Sequence, residues 1–199
     1  MRRAAIGLIL LVGACADGAP TRDQQAGGAA NAVADMSRPA AGTATPRPKA
    51  ALALADDGFR IVDPANGENA TIPFGSDRQA VLDRVARLRG AATEQGENSE
   101  CGVGPIEFAQ FDGGLSLIFQ QDKFAGWSVN QGGDQKLTTV AGIGLGATRK
   151  ALEAAYPTKV EESTLGTEFV AGGVSGLLED ARDSAKITDL WAGATCIAR

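Results

Sequence analysis

The sequence predicts an α+β fold: two tandem helix-plus-antiparallel-meander repeats, preceded by a secretory leader and a disordered tether. Three observations predict it. An apolar leader closes on a cysteine, a stretch of small residues and prolines follows, and the rest of the chain carries one series of markers twice. The 199 residues, 44% hydrophobic and 22% charged, suffice for one ordinary domain or two small ones. They do not suffice for a large enzyme with a cofactor domain. Histidine is absent, which excludes Ser-His and Cys-His nucleophiles, HExxH metal sites and imidazole bases. The net charge is −5, and residues 51–199 hold 13 Lys+Arg against 21 Asp+Glu, a net −8. So acidic a domain repels phosphate backbones, and no nucleic-acid partner is expected.

The first element is an address. Met1-Arg2-Arg3 is a positive n-region, and the apolar run from Ala4 to Val12 is too short for a bilayer, which needs about 20 residues. The run closes on Val12-Gly13-Ala14-Cys15, which resembles the bacterial lipobox. That resemblance implies a lipoprotein signal over residues 1–14, removed to leave Cys15 as the lipidation site. It also implies an outer-membrane anchor facing the periplasm, because Ala16 stands where an Asp would favour inner-membrane retention. Lipid chains then supply membrane affinity, at about 0.8 kcal/mol per buried CH₂. The alternative is a plain signal peptide with an incidental Cys.

Residues 15–50 form the tether. Between 16 and 50, 23 of 35 residues are Ala, Gly, Pro, Ser or Thr, and none is aromatic. Pro20, Pro39, Pro46 and Pro48 oppose a helix despite the alanines. A flexible coil of that length spans about 33 Å root-mean-square. Residues 51–71 then read as a lead-in β-hairpin, with Phe59-Arg60-Ile61-Val62 and Ala70-Thr71-Ile72 flanking the turn signal Asn66-Gly67.

Residues 72–130 and 140–199 form the two repeats. Ile72-Pro73-Phe74-Gly75 aligns with Ile143-Gly144-Leu145-Gly146, and Glu107-Phe108 with Glu168-Phe169. Gly113-Gly114-Leu115-Ser116 aligns with Gly172-Gly173-Val174-Ser175, and Trp127 falls beside Trp191. In the first repeat Ser76 reads as an N-cap, with Gln79 at the capping-box position and Gly90 as the stop. In the second, Thr148 reads as the cap and Pro157 forbids continuation. Three strands follow each helix, at about 105–111, 115–120 and 124–129, then 165–170, 174–178 and 187–192.

Strict strand alternation puts Ile106, Phe108, Leu115, Leu117, Phe119, Trp127 and Val129 on one face, under the helix. It leaves Phe111, Ile118 and Phe124 on the other, with Val170, Leu177, Ile187 and Trp191 in the second repeat. A water-facing side of an antiparallel sheet is not normally this apolar. Either the two sheets cover one another, or the surface binds a partner. In the second case Phe111, Ile118, Phe124, Ile187 and Trp191 are the candidate binding face.

With Cys15 lipidated, Cys101 and Cys196 remain in an oxidising compartment, and a disulfide is expected. It would close a loop of about 95 residues, worth up to about 4–5 kcal/mol on the chain-entropy model. The alternative is a reactive Cys101, which has no His to lower its pKa.

The lipobox, the tether and the Ile-x-x-Gly helix entry followed by a meander resemble a group of bacterial envelope lipoproteins. They are distantly similar to BamE-like and β-lactamase-inhibitor-protein-like tandem modules. The resemblance implies short helices on an antiparallel sheet and a habit of binding other proteins. It supplies no contact residue. The function expected is an outer-membrane-anchored periplasmic lipoprotein that binds an envelope protein or wall component. The alternatives are a carboxylate-based envelope hydrolase and a passive structural lipoprotein.

No cofactor, nucleotide or metal is expected. Gly142-Ile143-Gly144-Leu145-Gly146 invites a dinucleotide-loop reading, but its third Gly comes one residue early and too little chain follows for a βαβαβ unit. A dehydrogenase would need a nucleotide domain and a His, and the chain has no His. CxxC spacings and EF-hand loops are absent. Glu107, Asp112, Asp122, Glu168 and Asp189 lie near sheet turns, where solvated surface charge is the simpler reading than an acid/base pair.

Overall fold

A computed structural model describes residues 50–64 and 69–196. The leader, Cys15 and the tether to residue 49 lie outside the described residues, as do Asn66-Gly67 and residues 197–199. Three strands open the described chain: β1 (Ala51–Ala55), β2 (Gly58–Val62) and β3 (Asn69–Pro73). Helix α1 (Arg78–Arg89) leads into β4 (Glu94–Asn98), β5 (Ile106–Phe111), β6 (Leu115–Gln120) and β7 (Lys123–Val129). Helix α2 (Arg149–Ala155) leads into β8 (Thr158–Ser163), β9 (Gly166–Ala171), β10 (Val174–Leu178) and β11 (Ile187–Gly193).

This corrects the expected two helix-plus-meander repeats. The molecule is mostly β, 48% strand and 13% helix, with two sheets and two helices among the described residues. One sheet is β1-β2-β3, and the other is a single antiparallel sheet of eight strands in the order β4-β5-β6-β7-β11-β10-β9-β8. The expected face-to-face cover of two sheets does not occur. β7 and β11 pair edge to edge instead, from Leu190↔Val129 to Gly193↔Gly126. That pairing satisfies two rows of backbone donors and acceptors that separate sheets would leave bare.

Local chemistry explains the helix ends. Asp77, rather than the expected Ser76, caps α1, its Oδ1 accepting from the Ala80 amide at 3.2 Å. The Ser76 hydroxyl instead donates to the Pro73 carbonyl at 2.7 Å. Thr148 caps α2 through a 3.2 Å bond from the Ala151 amide, and Gly90 ends α1. Gly75 and Gly146 enter the two helices at φ +86° and +79°, which suits glycine. The Gly142–Gly146 run is therefore turn geometry ahead of a seven-residue helix.

One face of the large sheet is covered. Leu115, Leu117, Phe119, Trp127 and Val129 bury against Val81 and Val85 of α1, Leu152 of α2, and Phe59 and Ile72 of the small sheet. Phe59 stacks on Phe124 at 5.2 Å and on Trp127 at 6.2 Å, and Phe74 meets Phe124 edge-on at 5.0 Å. The Trp127 indole donates to the Ala55 carbonyl at 2.8 Å, so the largest core side chain also ties the small sheet down. At the β4–β5 end, Arg78 Nε lies 2.9 Å from Glu107 Oε2 while its guanidinium sits 5.4 Å above the Phe119 ring.

Candidate functional site

Sheet register decides which side chains reach the second, uncovered face. Gln110, Ser116, Ser128, Trp191, Ser175 and Val170 are successive cross-strand partners from β5 to β9, so they form one row. Phe108 and Ile118 are partners in the next row, followed by Gly126. On the far side of the first row, Leu177 lies between its partners Asp189 and Glu168.

The expected binding face is divided by this register. Ile118 and Trp191 lie on the face away from the helices, 5% and 7% exposed, whereas Phe111, Phe124 and Ile187 lie in the core on the helix side, 3%, 1% and 2% exposed. Three local features overturn strict alternation. The turn between β5 and β6 pairs Phe111 with Leu115, which sends both rings and methyls inward and puts Ile106 and Phe108 outward. A bulge at Ala125 lets Phe124 and Trp127 share the inner face, opposite Phe119 and Leu117. A second bulge at Thr188 pairs Ile187 with Leu178 while Asp189 pairs with Leu177.

The uncovered face holds a cavity of about 600 Å³, within the range of small-molecule sites. Its polar lining is nearly all uncharged. Asn98, Gln110, Asn130 and Gln131 bring primary amides, and Ser116, Ser128 and Thr195 bring hydroxyls. Phe108 and Trp191 bring aromatic surface, with Ile106, Ile118, Leu165 and Leu177 between them. Among the described residues Asp189 is the one lining carboxylate, and no Lys or Arg lines the cavity. Sequence reasoning singled out two of these residues as a binding face and missed the polar ones. The signal for those was the outward-facing Gln110, Ser116 and Ser128 between buried neighbours.

The chain's C-terminal part closes one side. After β11 the Ala194 amide donates to the Ala125 carbonyl at 2.9 Å, and the backbone crosses Gly126. A Cβ at 126 would stand 1.9 Å from the Ala194 oxygen, so only glycine fits beneath this strap. Thr195 and Cys196 then line the cavity. Asn98 Nδ2 lies 3.5 Å from Cys196 Sγ. The neighbouring Cys101 thiol, through hydrogen bonding, and burial hold the Cys196 thiol above its ordinary pKa. Both residues are free thiols here, so the expected disulfide partners meet without being bonded. Cys101 packs with Ile106 and Ile118 in a small apolar cluster.

The loop bearing Asn130 and Gln131 is held from behind. Arg89 of α1 donates from Nη2 to the Asp112 carbonyl at 3.0 Å and to Asp134 Oδ2 at 3.2 Å. The backbone amide of Lys136, and then Arg89, hold the Asp134 carboxyl below its usual range.

The other acidic candidates are dispersed. Glu107 pairs with Arg78, and Asp112 and Asp122 sit in turns. Glu168 is 6% exposed and does not line the cavity that Asp189 does. Among the described residues no group of three or more His, Cys, Asp or Glu is placed to hold a metal, and no helix is long and apolar enough to cross a membrane. Comparison with known proteins finds no family model, no curated protein and no solved structure that matches the chain.

Proposed function

We propose that the protein is an outer-membrane-anchored periplasmic lipoprotein whose tethered domain binds an envelope component through the uncovered face of the eight-stranded sheet. The single observation that carries the binding role is the cavity on that face, with Trp191 and Ile118 in its wall and Gln110, Ser128 and Asn130 around them. The helices and the small sheet spend their apolar surface on the opposite side, so among the described residues neither covers the outer row. The lipobox at Cys15 and the resemblance to BamE-like and inhibitor-like envelope modules support the location. Residues 16–50 then act as the leash that lets the domain reach its partner.

A crosslinking pull-down from intact cells tests this reading. The lipidated wild type is compared with Trp191→Ala and with Gln110→Ala, the latter a change at an exposed side chain that leaves the core untouched. The expected result is one envelope component recovered with wild type and depleted with both variants. Equal recovery with all three, or none with any, would contradict it.

A further inference from the structure

We propose that the cavity on the uncovered sheet face is a site for a neutral oligosaccharide. This inference rests on the binding-module reading and names the chemistry of its ligand. The lining is rich in groups that both donate and accept: a primary amide does so through its NH₂ and carbonyl, and a hydroxyl through its O–H and lone pairs. Asn98, Gln110, Asn130, Gln131, Ser116 and Ser128 place six such groups around one depression. A sugar ring matches that set, because each of its hydroxyls is itself donor and acceptor.

The same ring has C–H faces that need apolar contact. Phe108 and Leu177, both half-buried, supply it, while Trp191 and Ile118, 7% and 5% exposed, back the wall behind them.

Charge narrows the class. Among the described residues no Lys or Arg lines the cavity, so the described lining offers a phosphate or carboxylate no counter-charge and sets it against Asp189. The net −8 of residues 51–199 adds to that repulsion. A peptide has a better place to bind a sheet, along the edge strands β4 and β8, which have no further neighbouring strand among the described residues. The volume of about 600 Å³ and its open mouth suit a short segment of a longer glycan better than a single enclosed small molecule.

The test is calorimetric titration of the full lipidated chain in detergent with tetra-N-acetylchitotetraose and with maltotetraose. Tetragalacturonate serves as the anionic counterpart. The expected result is saturable binding of at least one neutral tetrasaccharide, at least about tenfold weaker for tetragalacturonate. A Gln110→Ala/Asn130→Ala variant, altered at two exposed side chains, is expected to bind at least about tenfold more weakly with an unchanged circular-dichroism spectrum. No saturable binding of either neutral sugar, equal binding of the anionic one, or an unaffected double variant would overturn the proposal. If the sugars fail while Trp191→Ala still loses a crosslinked envelope protein, the glycan assignment falls and the binding module stands. If both fail, both fall.

Discussion

Two tryptophans show how position decides role. Trp127 is fully buried and bonded to Ala55, so it holds the two sheets together. Trp127→Phe is expected to cost about 1–3 kcal/mol in urea unfolding, because the Ala55 carbonyl loses its donor inside the protein. Ligand affinity should be unchanged once the variant is folded. Asp134 acts through charge. Its folded pKa lies below the ordinary 3.8, so its contribution is complete above that value and is lost as pH falls through the lower folded value. Partial exposure keeps the contribution to about 1 kcal/mol. The urea midpoint of wild type should therefore approach that of Asp134→Asn as pH drops below about 4. A gap between them that stays constant with pH would assign Asp134 no electrostatic part. Cys101 and Cys196 are neighbours, so thiol–disulfide exchange can join them. Oxidised glutathione would take up their two hydrogens to give two reduced glutathiones and one protein disulfide. Thiol titration should then fall by two, and stability should rise by up to about 4–5 kcal/mol for a loop of this length. Two thiols that stay free under oxidising conditions would contradict this pairing.

At the scale of elements, the legible parts were those with a strong local signal. The helices were readable from Thr148, Gly90 and Pro157, and the central strands from alternation in Leu115–Phe119 and Val174–Leu178. The missed strands are β1, β4 and β8. The Ala-Leu alternation of β1 matches helix formers as well as strand. The two others, Glu94-Gln95-Gly96-Glu97-Asn98 and Thr158–Ser163, are the outer edges of the sheet and are polar along most of their length. Polar edges protect a sheet from pairing with other chains, and that need removes the alternation a reader looks for. The bulges at Ala125 and Thr188 were equally silent, since one extra residue moves every later side chain to the other face. The strap gives this scale its own prediction. Gly126→Val should displace Ala194 and separate Cys196 from Cys101, so that oxidant no longer links them while the circular-dichroism spectrum persists. Continued crosslinking in that variant would show that the strap is not seated by Gly126.

At the scale of the molecule, one side of the eight-stranded sheet packs against the helices and the small sheet, and the other carries the cavity. The absence of His and the acidic balance excluded whole chemistries, and the lipobox set a cellular address as an expectation. Which side chains share the open face depended on the Phe111–Leu115 turn register and on the bulges at Ala125 and Thr188, and the β7–β11 pairing then set Trp191 beside Ser128. The cavity residues Gln110, Ser128 and Asn130 became visible only once that register was known. The central claim is that partners meet the protein at this face and not on the helical side. Site-specific photocrosslinking in intact cells tests it most directly, with the photoreactive residue placed at Gln110 on the open face or at Arg87 on exposed α1. An adduct at position 110 with none at 87 is the result predicted here. An adduct at 87 alone, or none at either position, would contradict it.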